Sequence, residues 1–242
     1  MYRFLLRPKW IAFHLLVVVG IIAMINLGLW QLRRLDQRRD FNATIEARYD
    51  DAPRPLDEVL AAGTDPDDAE WFPVTAHGEY LPDETVHIVN RSQNGRAGQN
   101  VVVPMQLDDG RLLLVNRGFV PLGIDVPPPP DGDVSVTGRL RKSQERRLGQ
   151  LTDPEGDLTE AQRVDIGRLS QQLDGDVVEM YIDRFESDPA DSAALEPVAR
   201  PDLSEGPHQG YAFQWFIFSV CVAVGWVLAV RKSITVRAAA AS

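Results

Sequence analysis

The chain has 242 residues, 35 acidic against 25 basic side chains, a formal net charge of −10 and one cysteine. Such acidity argues against a nucleic-acid partner, whose phosphates must be neutralised. A lone cysteine, Cys221, excludes an internal disulfide, a Cys-x-x-Cys metal pair and a covalent c-type haem attachment.

Residues 1–9 carry Arg3, Arg7 and Lys9 and no acid. Residues 10–30 contain no charge, with His14 and Asn26 as the clear polar interruptions. At about 1.5 Å per residue this block reaches roughly 30 Å, a bilayer core. A cleaved signal peptide is the bland alternative. The block is longer than a usual signal core, and no small-x-small site precedes the charged run at Arg33.

Residues 31–50 predict a helical stalk, with Leu32, Leu35, Phe41 and Ile45 among Arg and Asp, ended by Pro53 and Pro55. Residues 51–210 form the central domain. A short helix is expected over 56–62, closed by Gly63 and an acidic loop through Glu70. Residues 72–80 and 85–91 read as a hairpin around a Leu-Pro-Asp-Glu turn. Residues 100–107 and 111–120 read as a second, around Asp108-Asp109-Gly110. Residues 127–130, all proline, predict a stiff surface connection, and 134–141 another strand. The segment 142–158 is polar and irregular. A helix is expected from Thr159 to Gly175, a strand over 177–185 and a last strand over 195–199.

Residues 211–230 are the second uncharged apolar block, with Tyr211 and Trp215 near its start, where amphipathic rings favour the headgroup level. The tail 231–242 holds Arg231, Lys232 and Arg237 and no acid. All 35 acids therefore lie between the blocks with 19 basic residues, leaving that segment at −16. The expected fold class is an α+β membrane protein. Two transmembrane helices, N- and C-terminal, flank a mostly antiparallel, β-rich extracytoplasmic domain. The basic tail places the C-terminus in the cytoplasm, and two spans place the N-terminus there too. Arg33, Arg34, Arg38 and Arg39 oppose this rule, but long domains translocate largely regardless of charge.

No phosphate-binding Gly-rich loop, His-Glu-x-x-His or Gly-x-Ser-x-Gly is present, so no enzymatic activity is expected. The first predicted hairpin puts His77 and His87 on opposite faces, which disfavours a shared metal; no metal site is expected. His14 lies inside the first span, where ionisable groups are functional candidates, though near its edge a neutral imidazole suffices. His208 stands before an aromatic run, Tyr211-Ala212-Phe213-Gln214-Trp215-Phe216. A neutral imidazole there can ligate haem iron, with Tyr211 and Trp215 as walls; an interfacial anchor is the alternative. Arg91 and Arg117, each after an Asn, are candidates for a propionate or carboxylate if they converge, or else members of structural ion pairs.

Four blocks carry a resemblance: Leu27-Gly28-Leu29-Trp30-Gln31-Leu32-Arg33-Arg34; Val89-Asn90-Arg91 with Gly95, Gly98 and Val101-Val102-Val103-Pro104; Leu114-Val115-Asn116-Arg117-Gly118-Phe119-Val120-Pro121; and His208-Gln209-Gly210-Tyr211-Ala212-Phe213-Gln214-Trp215-Phe216. In this order, with two spans, the chain resembles the Surfeit locus protein one family, the Surf-type assembly factors of haem-copper cytochrome c oxidase. One departure is Gly206-Pro207, where many members carry asparagines. The resemblance implies a biogenesis factor for an aa3-type oxidase that assists haem a delivery or insertion into subunit I, with His208 as the candidate haem a ligand. It also implies oxidase subunits as partners, within a bc-aa3 supercomplex or outside one, in the cell membrane. A structural accessory subunit that stays bound is the alternative. The Arg-rich, Lys-poor composition suggests a GC-rich bacterium such as an actinobacterium.

Overall fold

The computed structural model describes residues 2–61 and 64–239. They fall into two compact units, the described part of Met1–Ala43 with Asp202–Ser242, and Thr44–Pro201.

In the first unit, helix α1 begins at Pro8 of its span Pro8–Arg48, and the other long helix, α5, spans His208–Ala239. Both are long and apolar enough to cross a membrane. Only 6% of each apolar stretch is buried. Their side chains face outward and call for a non-aqueous surrounding, which fits a membrane protein and not the core helix of a soluble one. The contacts His14–Trp226, Gly28–Phe216 and Gln31–His208 run in opposite senses along the two helices, so they pack antiparallel. Gly28 permits the approach, because a Cβ there would stand 2.6 Å from the Phe216 ring. The segment before α5 is tied to α1. Arg38 donates to the carbonyls of Asp202 and Ser204, Asn42 to that of Leu203, and Arg39 pairs with Glu205 at 2.8 Å. Two of the four arginines that follow the first apolar block are thus tied to the segment before α5, and a third, Arg34, donates to Gln37 at 3.1 Å.

The second unit is a sheet domain. Strands β1 (Arg54–Pro55), β2 (Pro73–Tyr80), β3 (Val86–Gln93), β4 (Arg96–Leu107), β5 (Leu112–Pro121), β6 (Asp133–Lys142), β7 (Glu160–Ala161) and β8 (Met180–Asp188) pair in the order β1-β2-β6-β8-β5-β4-β3-β7. Most pairings are antiparallel; β1–β2, β3–β7 and β5–β8 are parallel. A further pairing of β2 with the end of β4 closes β2, β6, β8, β5 and β4 into a small barrel. Closure depends on Gly78, where a Cβ would lie 2.1 Å from the Gln106 carbonyl oxygen. Gly78→Ala is therefore expected to cost about 1–3 kcal/mol in urea unfolding, as overpacking does.

Strand alternation divides the apolar residues between two cores. Val101, Val103, Met105, Leu113, Val115, Met180 and Ile182 fill the barrel with Val74, Val136 and Leu140. Their neighbours Val102, Leu114 and Tyr181 face outward, with Val86 and Ile88, and are covered by Leu158, Ala161, Val164, Ile166 and Leu169. Strands buried on both faces explain the continuous apolar runs of β4 and β5.

Several sequence expectations need correction. β2 and β3 do not form a hairpin. β2 turns its apolar face into the barrel while β3 turns Val86 and Ile88 to the outer core, so β2 pairs with β1, β6 and the end of β4, and β3 with the rest of β4 and β7. His77 sits opposite Ser135, and His87 opposite Val101 and Glu160. The helix expected over 159–175 shrinks to α4 (Ile166–Leu169), capped by Asp165, plus the 3-10 turn Ser170–Gln172. Its apolar residues lie flat on the sheet instead of along one helical stripe. The segment 195–199 makes one bridge, Glu196 to Phe119, and no strand. The helix expected over 56–62 is α2 (Leu56–Val59); Ala62 and Gly63 lie outside the described residues. A turn not foreseen, α3 (Pro66–Ala69), starts at an Asp65 cap with proline in its first turn. The four prolines stay out of the ladder, but Pro129 is buried, so that connection is not wholly at the surface. The 108–110 turn joins β4 and β5 as expected, with Gly110 at φ +88°.

Candidate functional site

His208 opens α5. Its Nδ1 lies 2.8 Å from Oε1 of Gln31 on α1, and Gln31 is itself buried. An amide oxygen only accepts, so Nδ1 donates to it, and in the neutral ring this leaves the lone pair on Nε2. The contact orients the ring and selects one tautomer of its neutral form, with Nε2, the nitrogen that can bind a metal centre, left open. Tyr211 and Phe213 are exposed, and Trp215 is partly buried, edge-on to Phe218 at 6.1 Å. On a helix, positions 208, 211 and 215 share one side. An imidazole and two aromatic side chains are thus gathered on one part of α5.

His14 has a different partner. Trp226 Nε1 donates to its Nδ1 at 2.8 Å, and the rings of Trp10 and Phe13 stand 5.6 and 5.9 Å away. That pair locks α1 to α5 near their other ends. His77 and His87 join no cluster, and no group of three or more His, Cys, Asp or Glu side chains suited to a metal occurs among the described residues.

The two arginines do not converge. Arg117 is 1% exposed and fully engaged inside the domain. It forks onto Asp191 at 2.8 and 2.6 Å and donates to the Pro127 and Pro128 carbonyls at 3.0 and 2.9 Å. Arg91 instead lines a polar cavity on the outer face of the sheet, with Asn116, Arg141, Tyr181 and Asp183. Burial pushes the Asp183 carboxyl up from the usual range, although Arg141 at 2.9 Å and Asn116 at 2.7 Å both donate to it. The sequence reading missed Gln31, Arg141, Tyr181 and Asp183 as site residues. Gln31 stands within a motif that the resemblance quotes. Nothing local marks the other three, because only the strand order β6-β8-β5 joins them.

The SURF1 family model matches residues 18–220. An uncharacterized SURF1-like protein of Mycobacterium tuberculosis is 31% identical over 229 residues, 92% of this chain and 83% of that protein. This chain belongs to the SURF1 family. A SURF1-like protein of Rickettsia felis is 24% identical over 92% of this chain and 99% of its own length. Surfeit locus protein 1 of Xenopus tropicalis is 28% identical over 52% of this chain. The SURF1 match contains Gln31, Arg91, Arg117, His208, Tyr211 and Trp215; it begins after His14 and ends before Trp226.

Proposed function

We propose that this SURF1 family member is a non-enzymatic biogenesis factor for aa3-type cytochrome c oxidase. It receives haem a as cargo through Nε2 of His208 and presents it for insertion into subunit I. The observation that carries this reading is the 2.8 Å contact between His208 Nδ1 and Gln31. Neutral imidazole is a common axial ligand of haem iron, and a hydrogen bond at the far nitrogen orients it and raises its basicity. Exposed Tyr211 and partly buried Trp215 supply apolar surface for a porphyrin face. The helices lie in the cell membrane with both termini cytoplasmic, as the basic ends favour, and the sheet domain is extracytoplasmic. The propionates are met by groups other than Arg117, whose guanidinium is taken up by Asp191.

The exposed apolar length of α1 and α5 also favours a second reading, an accessory subunit that stays bound to the oxidase or a supercomplex. Tagged protein should be isolated in mild detergent and its stoichiometry against subunit I measured. A biogenesis factor is expected to capture subunit I precursors and to be scarce in mature oxidase. Near-equal amounts in mature oxidase would favour the accessory subunit, and failure to capture subunit I in any form would count against both.

A further inference from the structure

The cavity beside Arg91 is built by β-bulges. It encloses about 340 Å³ and lies wholly within the Thr44–Pro201 unit. In β3 a bulge between Ile88 and Arg91 shifts the register, so Ile88 sits opposite Asn100 and Arg91 opposite Gly98. Arg91 thereby joins the outer face that Val86 and Ile88 occupy. In β5 a second bulge brings Asn116 opposite Val102 and Phe119 opposite Asn100, again on that face. Asn116 is in register with Asp183, and Tyr181 with Arg141. Adjacent strands β3, β4, β5, β8 and β6 each contribute to this polar extension of the outer core.

Arg91, Asn116 and Tyr181 line this cavity and each retains hydrogen-bonding capacity. Arg91 is half-buried and its Nη2 donates to the Gln162 carbonyl at 3.0 Å and to Gln144 Oε1 at 3.4 Å, while its Nε has no partner. No carboxylate pairs with it among the described residues, whereas Arg117, Arg141 and Arg163 all end on one. Burial pulls the Arg91 guanidinium below its ordinary range, as expected for an uncompensated cation. Asn116 is 2% exposed and gives its Nδ2 to Asp183, which leaves Oδ1 as a buried acceptor without a donor. Tyr181 is 1% exposed, and its hydroxyl accepts from Gln144 at 2.7 Å, so its own proton is free to give. Burial raises the phenol, which keeps that proton in place. Asp183 is already met by Arg141 and Asn116 and does not answer Arg91. These three side chains therefore offer a cation, a hydroxyl donor and an amide acceptor, each partly or fully withdrawn from water.

We infer that this cavity binds a small hydroxylated carboxylate, its carboxylate on Arg91 and the Tyr181 hydroxyl, its own hydroxyl donating to Asn116 Oδ1. This site is independent of His208 and of the haem reading. The volume is at the lower end for small-molecule pockets and admits an acid of a few carbons.

The test is isothermal titration of the full chain in nanodiscs of neutral lipid, with L-malate and, as its counterpart without the hydroxyl, succinate. Malate is expected to bind with a Kd below about 1 mM, and succinate about fivefold more weakly, the worth of one hydrogen bond. Arg91→Gln should weaken malate at least about tenfold while leaving thermal unfolding nearly unchanged. Asn116→Ala should erase the preference for malate over succinate. Should that variant not fold, the malate-to-succinate ratio of the wild type and the Arg91→Gln loss still decide the matter. His208→Ala should bind malate like the wild type. The inference is overturned if malate does not bind, if Arg91→Gln binds it equally, or if malate and succinate bind alike.

Discussion

Arg117→Ala is expected to remove about 3–5 kcal/mol of folding stability, a large part of what a domain of this size possesses. The side chain is 1% exposed and so is Asp191, which it grips through two hydrogen bonds. It also satisfies the Pro127 and Pro128 carbonyls and lies 5.9 Å from the centre of the Tyr80 ring. Truncation strands a buried carboxylate whose one remaining cationic neighbour among the described residues is Arg184, 3.6 Å away. Arg184 cannot simply turn to replace it, because its own guanidinium donates to the Arg117 carbonyl. Arg117→Lys should recover little, since a single ammonium cannot reproduce the fork. Replacing both partners, Arg117→Met with Asp191→Leu, should be markedly less harmful than Arg117→Ala alone, because no unpaired charge remains. Urea denaturation of the four proteins measures this, and equal loss in the single and double variants would show that the ion pair is not the cause.

The second large effect concerns His208. Purified with haem a, the wild type should show the absorption of an imidazole-ligated haem, and His208→Ala should lose it, with affinity lower by at least about a hundredfold. Gln31→Leu leaves the imidazole but removes the acceptor that fixes its tautomer, so binding should weaken about tenfold with the axial signature kept. That graded pair separates a ligand from an anchor. If His208 merely positions the start of α5, both variants should bind haem a like the wild type.

These two residues also show what could be read from the chain alone. The two apolar blocks, the β4–β5 turn at Gly110 and the buried apolar runs in β4 and β5 follow from local pattern, and the structure bears them out. His208 could be singled out because an imidazole ahead of an aromatic run is visible locally. Its partner Gln31 is 177 positions away and becomes a partner only through the antiparallel packing of α1 and α5. Arg117 looked equivalent to Arg91, since each follows an asparagine in a strand. Bulges break the two-residue alternation on which such readings rest. One bulge sets Arg91 on the outer face, while the bulge after Asn116 leaves Arg117 free to turn to Asp191. The helix expected over 159–175 failed for a related reason. Its apolar residues were spaced well enough for a helical stripe, but the outer face of β3, β4, β5 and β8 needed a cover, and an irregular segment lies on it. Tertiary demand there outweighed local propensity.

The most direct test of the oxidase role is a reduced-minus-oxidised difference spectrum of membranes. The membranes come from cells lacking this chain, complemented with nothing, with the wild type or with His208→Ala, and subunit I polypeptide is quantified alongside. The expected result is a haem a signal restored by the wild type and reduced several-fold in the other two, at unchanged synthesis of subunit I. A full haem a signal in cells without the chain would contradict a role in oxidase biogenesis.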